Sequence, residues 1–311
     1  LPNFDYKFMQ GNSLLEQYNG VDLSQVAEIK KENTDGYQVS MFENELDVCR
    51  RSLHDKLEEY FGVTNHLTKQ NLRNDISALV QKELDEQHIK VDLSNIDVSA
   101  NDKFFLWHTW FADVFNRPSK QGFDIVIGNP PYITYKGKEK VNISDIEVKR
   151  LIAAYPNSAE YKVNSYALFV EAGLKLCNNR GHLTYIIPST LLQNEYLKKI
   201  RQYILQSHRL RELVSFENKV FNAVTDSMIL TCQAGKDNDT SMRFKRVSDL
   251  NFTIKQEKTY NTTIWDNPST SFVIDIKTDS SLSSIFAKME RGSQRLDFYY
   301  NVYVGIVANG I

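Results

Sequence analysis

Cysteine is scarce in this sequence, and its scarcity limits the kind of protein it encodes. The 311 residues include three cysteines, Cys49, Cys177 and Cys232, in no paired spacing. An odd and widely spaced set argues against a disulfide framework or a zinc site and favours a reducing compartment. The six histidines show no metal-ligand spacing either, so no metal site is predicted.

Long apolar runs are also missing. No stretch of about 18 apolar residues occurs, so no transmembrane helix and no membrane partner are expected. The first residues show neither the basic region nor the apolar stretch of a signal peptide. These absences predict an intracellular, cytoplasmic protein of bacterial or archaeal type.

The ends of the sequence and its charge distribution give two further expectations. The sequence starts at Leu1 without a Met and stops inside an apolar stretch at Ile311. We expect a fragment of a larger protein, with a trimmed complete domain as the alternative, because ordered domains usually end in polar segments. Residues 1–120 carry 13 Lys and Arg against 20 Asp and Glu, whereas residues 121–311 carry 24 against 19. The second part is therefore expected to bind a polyanion, unless the excess is an ordinary solvated surface.

Alternating segments indicate an α/β protein that is interrupted by a helical insertion. Between about 23 and 103, Leu53, Leu57 and Tyr60 recur at helical spacing, and we interpret these side chains as core. Elsewhere strands and helices alternate, which is typical of a parallel or mostly parallel sheet covered by helices. Strands are predicted at 4–9, 122–127, 182–187, 212–216 and 227–232, and helices at 166–177 and, rich in basic residues, at 194–206.

Two of these segments carry more specific expectations. Residues 122–127 form a nearly continuous apolar run, which favours a central strand buried on both faces. The stretch 235–243 is polar and rich in turn-forming residues, so a domain boundary is predicted there.

The segment Asn129-Pro130-Pro131-Tyr132 directly follows the strand predicted at 122–127. From average residue usage, the odds of one copy by chance are on the order of one in a thousand. Ligands bind at the carboxyl ends of strands in open α/β sheets, so this position favours a binding site. A plain turn with a surface tyrosine is the alternative.

The residue types in this segment suit reaction at a poorly nucleophilic amine. The Asn129 side chain and the Pro130 carbonyl supply two acceptors for the two N–H groups of an amine, and they would stabilise positive charge developing on its nitrogen. Pro131 restricts Pro130 to extended conformations and so fixes the direction of that carbonyl. Tyr132 offers a flat face to a base taken out of a helix. No histidine or cysteine is needed as a base in this scheme.

Several segments, in order, resemble the motifs of amino-group methyltransferases that depend on S-adenosylmethionine. GFDIVIGNPPY resembles the fourth motif, and FMQGNSLLE resembles the third. Three later parts of the family pattern, a helix, the strand after it and the late motifs, also have similar segments here. These segments are, in the same order, YALFVEAGLKL, GHLTYIIPSTLL and LRELVSFENKVFNAVTDSMILTC. The resemblance covers about residues 4–20 and 104–235, and it is strongest to DNA adenine methyltransferases of the fused type IIG restriction–modification kind.

The resemblance implies a fold and a domain order. The fold would be α/β, with part of a Rossmann-like methyltransferase sheet, a helical insertion and the start of a target-recognition domain, which SLSSIFAKMERGSQRLDFYYNVYVGIVANG resembles. The implied divisions are the start of the core at 1–22, the insertion at 23–103, the catalytic core at 104–238, and a linker with the start of target recognition at 239–311.

The resemblance also implies roles for individual residues. Asn129 and Pro130 would bind the target amine, Tyr132 would stack on a flipped adenine, and Phe221 would pack on the same base. Asn12 and Phe169 stand where the family contacts the adenine of S-adenosylmethionine, although Asn12 also suits a turn and Phe169 a helix core.

The family's first motif, a glycine-rich loop that binds the methionine part of the cofactor, has no counterpart, since no G-x-G occurs in these residues. That motif is expected upstream of Leu1, so the cofactor site is expected to be incomplete and this chain alone to be inactive. The methyl transfer itself implies no metal.

Double-stranded DNA is the expected partner, and two basic clusters are candidates for phosphate contacts. Lys136, Lys138 and Lys140 follow the motif, and a second cluster, with a solvated surface as the alternative, comprises Lys198, Lys199, Arg201, Arg209 and Arg211.

Two alternatives to adenine methylation stay open. The same tetrapeptide serves methyltransferases that act on a protein glutamine or on ribosomal RNA guanine. An inactive DNA-binding subunit that keeps the fold is the other alternative, because a fold alone does not establish activity.

Overall fold

The computed structural model describes residues 9–23, 45–98, 104–136, 143–218, 226–249 and 251–276, together with isolated positions between 285 and 299. The chain divides into two compact units, residues 1–273 and 274–311. The helices and strands named below all lie in the first unit. The strand predicted at 4–9 lies outside the described residues except for Met9.

The first unit contains short and long elements that follow one another in this chain order. They are β1 (Gln17–Tyr18), β2 (Val21–Asp22), α1 (Glu45–Gly62), α2 (His66–Glu86), α3 (Trp107–Trp110), α4 (Ala112–Phe115), β3 (Phe123–Gly128), α5 (Asp145–Ala154), α6 (Ser165–Leu176), β4 (Cys177–Pro188), α7 (Lys198–Ser207), β5 (Arg209–Phe216), β6 (Ser227–Gln233), β7 (Ser241–Val247) and β8 (Ile254–Asn261). Short 3-10 turns cover Ser189–Leu192, Glu195–Leu197, Thr262–Trp265 and Pro268–Thr270.

A mixed six-stranded sheet with the order β3-β4-β6-β5-β7-β8 organises the unit. Strands β3 and β4 are parallel, as are β5 and β7, whereas the other neighbours are antiparallel. Helix α6 packs on β4, and α7 packs on β5. The predicted α/β class is confirmed, with a mixed sheet rather than a mostly parallel one.

Helix α6 approaches the sheet closely because Gly173 faces it. A Cβ atom at this position would lie 2.4 Å from Leu183 Cδ1 and 2.8 Å from the Tyr185 hydroxyl. Any larger residue would therefore require the buried Leu183 and Tyr185 side chains, or the helix itself, to move.

Strand β3 is an edge strand of the described sheet, so the prediction of a strand buried on both faces is wrong. Ile125 and Ile127 are 69% and 79% exposed. The physical reason is that β3 has a neighbour, β4, on one side only, and no described element covers the face that carries these two side chains.

The segment predicted as a helical insertion forms two long helices where it is described. Helices α1 and α2 pack against each other, and a buried ion pair joins Arg50 Nε to Glu83 Oε1 at 2.7 Å. The insertion shares one apolar core with the segment that follows it, because Leu53 and Ile76 belong to the same cluster as Phe104. Residues 24–44 and 99–103 lie outside the described part of the chain.

The sheet continues past the predicted boundary at 235–243. Strand β7 pairs in parallel with β5, with Glu212 opposite Arg243, and β8 completes the sheet. The compact unit ends at Val273 rather than near 239. In the described part of the chain, no helix combines the length and the apolar character that crossing a bilayer requires.

Candidate active site at the carboxyl end of strand β3

The Asn-Pro-Pro-Tyr segment begins one residue after β3 ends at Gly128. Because β3 and β4 run parallel, their carboxyl ends meet at one edge of the sheet. Asn129 is exposed and Pro130 is buried. Among the described residues, neither the Asn129 amide nor the Pro130 carbonyl makes a hydrogen bond, so both acceptors lack a protein partner.

The Tyr132 ring is held at both its edge and its tip. Its hydroxyl donates a hydrogen bond to the Ile186 carbonyl of β4 at 3.0 Å. The ring meets that of Tyr166 edge to face, with centroids 6.2 Å apart. Burial raises the pKa of the Tyr132 hydroxyl, and the proximity of Ser227 acts in the opposite direction. Tyr132 is therefore a fixed, neutral aromatic group beside the two acceptors.

Ser165, the first residue of α6, fixes the backbone around Tyr132. Its side chain is fully buried, and its hydroxyl donates to the Pro131 carbonyl. The same oxygen accepts the Ile133 N–H at 3.0 Å, and the Ser165 N–H donates to the Ile133 carbonyl at 2.9 Å. Both peptide groups that flank Tyr132 are thus bound to one residue.

A short ladder extends this contact away from the motif. Thr134 bridges to Asn164, and the Tyr135 N–H donates to the Val163 carbonyl at 3.1 Å. The Lys136 N–H likewise donates to the Lys162 carbonyl at 3.1 Å. The backbone from 133 to 136 is therefore paired with the segment before α6, which limits how far the motif can move.

The second wall of the site comes from the segment that follows β4. The hydroxyls of Tyr166 and Thr190 lie 3.1 Å apart, within hydrogen-bonding distance. Thr190 belongs to the 3-10 turn Ser189–Leu192 at the carboxyl end of β4. Tyr132, Tyr166 and Thr190 form a chain of contacts across the ends of the two parallel strands.

Asn12 and Phe169, the residues predicted to bind the cofactor, both lie beside the apolar cluster that contains Leu14 and Leu15. The Asn12 side-chain oxygen accepts the N–H groups of Leu14 and Leu15, at 3.1 and 3.2 Å, so it caps a local turn. Leu14 and Leu15 are buried in that cluster, and the half-buried Phe169 ring packs against it. The two positions are near each other, but the Asn12 oxygen is already engaged and only its amide NH2 has no described partner.

The remaining predicted site residues are only partly described. Lys136 is exposed beside the motif. Phe221, Lys138 and Lys140 lie outside the described residues. Their predicted roles stay predictions.

The second basic cluster separates into buried and exposed members. Arg201 is fully buried and donates to the carbonyls of Leu191, Asn194, Ser271 and Phe272. Arg209 is 3% exposed and pairs with Asp237, its Nε lying 2.9 Å from the carboxylate. A phosphate contact is therefore excluded for these two arginines by burial. Lys199 is exposed, and Arg211 is paired with Asp237 and Asp239.

The cysteines are unsuited to nucleophilic chemistry. Cys49, Cys177 and Cys232 are all buried and unpaired. Burial raises the pKa of the Cys177 thiol to about 11, and it also raises those of Cys49 and Cys232. A thiol with so high a pKa carries little thiolate at neutral pH, so none is a nucleophile.

Sequence reasoning missed Ser165, Tyr166 and Thr190, which support the motif. No sequence pattern distinguishes Ser165 from any other serine at the start of a helix. Tyr166 and Thr190 are 24 residues apart, so their positions in the sequence do not predict their contact. Only the parallel pairing of β3 with β4 brings them together.

Comparison with known protein families identifies the chain. The sequence model of the Eco57I restriction-modification methylase family matches residues 35–221, more than half of the chain. This chain belongs to the Eco57I restriction-modification methylase family. The match includes the Asn-Pro-Pro-Tyr segment, Ser165 and Phe169, whereas Asn12 lies before the matched region.

Individual relatives share modest identity with the chain. The type II restriction enzyme and methyltransferase RM.Eco57I of Escherichia coli is 28% identical over 177 residues, which cover 54% of this chain and 17% of that protein. The type II methyltransferase M.AccI of Acinetobacter calcoaceticus is 28% identical over 163 residues, or 51% of this chain and 27% of that protein. The chain thus spans only a minor part of the relatives that it matches.

One solved structure that the chain aligns with in part is that of the type IIG restriction endonuclease BpuSI. It is 14% identical, with a TM-score of 0.37, over 48% of this chain and 20% of that protein.

Proposed function

We propose that this chain carries the catalytic site of a site-specific DNA adenine N6-methyltransferase from a restriction–modification system. The observation that carries the proposal is the pair of free acceptors on Asn129 and Pro130, next to the fixed ring of Tyr132. Membership of a restriction-modification methylase family supports methyl transfer to DNA.

The acceptors explain how the site activates an amine. The lone pair of an exocyclic amine is delocalised into the base, so the nitrogen is a poor nucleophile. Asn129 Oδ1 and the Pro130 carbonyl would each accept one of its N–H groups and stabilise the positive charge that develops on nitrogen. Pro131 removes one N–H donor from the segment and orients Pro130, so no neighbouring donor competes for these oxygens.

The tyrosine supplies the base-binding surface. Its hydroxyl is anchored to Ile186, and its backbone is anchored to Ser165, so the ring direction is set before substrate binds. A preset ring lowers the entropic cost of stacking on a flipped base. Phe221 would contact the same base from another side, and Lys136 and Lys138 would contact phosphates next to it.

S-adenosylmethionine would supply an electrophilic methyl group to this amine. Of the residues present, Phe169 fits contact with the adenine ring of the cofactor, because its half-buried side chain packs on the Leu14–Leu15 cluster. Asn12 fits as a hydrogen-bond donor through its amide NH2, since its oxygen is bound to the backbone. The described residues contain no group of His, Cys, Asp and Glu side chains that suits a metal ion.

The test measures which nucleoside is labelled. The longest natural polypeptide that contains this chain is incubated with unmethylated DNA and isotope-labelled S-adenosylmethionine, and the DNA is digested to nucleosides. Label in N6-methyladenine is expected, and Asn129→Ala should reduce it at least a hundredfold, as loss of one preorganised polar contact does elsewhere. Asn129→Asp keeps an acceptor oxygen and should retain more activity than Asn129→Ala.

Other outcomes would replace this function by a specific alternative. Label in N4-methylcytosine would keep the mechanism and change the base. Label in RNA or protein, with none in DNA, would change the substrate class. Absence of label from DNA, RNA and protein, with duplex still bound, would indicate an inactive DNA-binding subunit.

A further inference from the structure

Two exposed tyrosines pack against each other, with tilted rings, at the surface of the first unit. Tyr161 is 66% exposed and Tyr196 is 40% exposed. Their ring centroids are 5.2 Å apart, with 30° between the ring planes. Tyr161 is thus mostly exposed and Tyr196 about two-fifths exposed, and a bound partner would remove this apolar area from water.

The pair lies on the same side of the sheet as the Asn-Pro-Pro-Tyr segment. Tyr161 belongs to the connection that follows β3, just before α6, and Tyr196 belongs to the connection that follows β4. These connections leave the carboxyl ends of two parallel neighbours. The carbonyl of the residue after Tyr161, Lys162, accepts the Lys136 N–H, and Lys136 is four residues from the end of the motif.

Unpaired lysines lie near the two tyrosines along the backbone, because Lys162 follows Tyr161 directly and Lys199 is three residues after Tyr196. Lys136, Lys162 and Lys199 are exposed, and none of them forms an ion pair with a carboxylate in the described part of the chain. The acidic neighbours are Glu160 and Glu195. Glu160 accepts the Lys199 backbone N–H at 2.8 Å, so its carboxylate is hydrogen-bonded and joins the two connections.

Flat aromatic faces among free ammonium groups fit nucleic acid better than they fit protein. Aromatic rings pack on bases and sugars of any sequence, and lysines bind the intervening phosphates as point charges. A protein partner would instead favour a larger apolar patch, whereas these tyrosines are bordered by charged residues.

We propose that the Tyr161–Tyr196 pair is a DNA-contact platform beside the catalytic site. The rings pack on the sugars of nucleotides that flank the target, and Lys162 and Lys199 bind the adjacent phosphates. The proposal depends on the proposed function for DNA as the substrate. It adds Tyr161, Tyr196 and Lys162 to the contacts that the motif and the basic clusters of the sequence indicate, and Lys199 already belongs to the second of those clusters.

The test is equilibrium binding of a fluorescein-labelled 30-base-pair duplex of mixed sequence to the longest natural polypeptide that contains this chain. Anisotropy is measured at several salt concentrations. Tyr161→Leu combined with Tyr196→Leu keeps an apolar contact between the two connections but removes the flat faces, and it should weaken binding about tenfold. The slope of log affinity against log salt should stay unchanged, because no charge is removed. Tyr161→Phe combined with Tyr196→Phe keeps both rings and should bind like the wild type.

Lysine variants give the complementary result. Lys162→Gln combined with Lys199→Gln should reduce the salt slope by about 0.9 for each phosphate that a lysine no longer neutralises. Ile264→Ala is the matched control, since Ile264 is 60% exposed but follows β8, which ends at the opposite edge of the sheet. It should not change the affinity.

Three results would overturn the platform. They are wild-type affinity in the double leucine variant, an equal decrease in affinity in Ile264→Ala, and weaker binding in the leucine variant that is matched by a lower melting temperature. The binding assay involves no methyl transfer, so it separates the two proposals. If no label enters DNA but the leucine variant still weakens duplex binding, the methyltransferase function fails and the platform stands.

Discussion

The buried hydroxyl of Ser165 donates a hydrogen bond to the carbonyl oxygen of Pro131. Its oxygen also accepts the Ile133 N–H at 3.0 Å. One side chain at the start of α6 therefore holds the peptide groups on both sides of Tyr132. The direction of the Tyr132 ring depends on a helix that lies 33 residues further along the chain.

Ser165→Ala should slow methyl transfer while leaving the fold intact. The variant removes both hydrogen bonds from the loop, so the acceptors and the ring lose their fixed geometry. Misplacement of reacting groups by about 1 Å costs on the order of a hundredfold in rate, and we expect a decrease of about ten- to hundredfold. Single-turnover methylation with saturating DNA and S-adenosylmethionine measures the effect.

Ser158→Ala is the matched control for this prediction. Ser158 is also buried, and its hydroxyl donates to Glu171 Oε2 at 2.6 Å rather than to the motif loop. Removal of a buried hydrogen bond should lower the stability of both variants by about 1–3 kcal/mol. An equal decrease in rate in Ser158→Ala would contradict a positioning role for Ser165.

The helices and strands near the candidate active site were predictable from the sequence, because each depends on a residue pattern within its own segment. Helix α6 was expected at 166–177 and covers Ser165–Leu176, and β6 was expected at 227–232 and covers Ser227–Gln233. The position of Asn129 after a strand followed from an apolar run that ends in Gly-Asn-Pro. Such signals lie within a few residues of the feature they predict.

Features that depend on partners distant in sequence were not predictable. The apolar run of β3 indicates a strand but cannot show that Ile125 and Ile127 face no described element. The alternation of Met242 and Phe244 with polar residues indicates a strand, but not its parallel pairing with β5. A basic residue in a helix is exposed by default, and Arg201 departs from that rule because four carbonyls surround it.

Arg201→Met should destabilise the first unit strongly. The guanidinium is fully buried and donates hydrogen bonds to the carbonyls of Leu191, Asn194, Ser271 and Phe272. Methionine fills similar space but leaves these acceptors without a donor, so we expect a decrease of about 3 kcal/mol or more in the free energy of unfolding. Chemical denaturation measures it.

Lys199→Met is the control for Arg201→Met, because Lys199 is exposed on the same helix. Its free energy of unfolding should change by no more than about 0.5 kcal/mol. Similar decreases in the two variants would show that the hydrogen bonds from Arg201 to these carbonyls do not stabilise the fold.

Gly173→Ala and Gly62→Ala should have opposite effects on stability. A Cβ at Gly173 would lie 2.4 Å from Leu183 Cδ1, whereas a Cβ at Gly62 meets nothing within 4 Å. Overpacking at Gly173 should cost about 1–3 kcal/mol. Alanine at Gly62, the last residue of α1, should be neutral or stabilise the helix by up to about 1 kcal/mol. Thermal unfolding compares them, and a stable Gly173→Ala variant would disprove the close contact of α6 with β4.

Acid should destabilise the first unit through His208. The His208 Nδ1 atom accepts the Gly235 N–H at 3.1 Å, and this contact requires a neutral ring. Burial lowers the pKa of His208 from 6.5 to about 4, although Glu171 acts in the opposite direction. Between these two pH values the unfolded chain binds a proton that the folded chain does not bind. The contribution of His208 to the free energy of unfolding is therefore complete above pH 6.5 and declines as the pH falls towards 4.

His208→Gln should flatten this pH dependence, because glutamine keeps an acceptor but does not titrate. Urea unfolding from about pH 7.5 to about pH 4 measures the slope, and His66→Gln, at an exposed position, controls for the removal of a histidine. Hydrogen bonds lower the pKa of Asp239 to about 2 and also lower that of Asp124, so these carboxylates lose their contribution only below about pH 4. These two carboxylates therefore do not affect the pH dependence of stability between pH 6.5 and 4. An unchanged slope in His208→Gln would show that this imidazole is protonated in the folded protein as readily as in the unfolded chain.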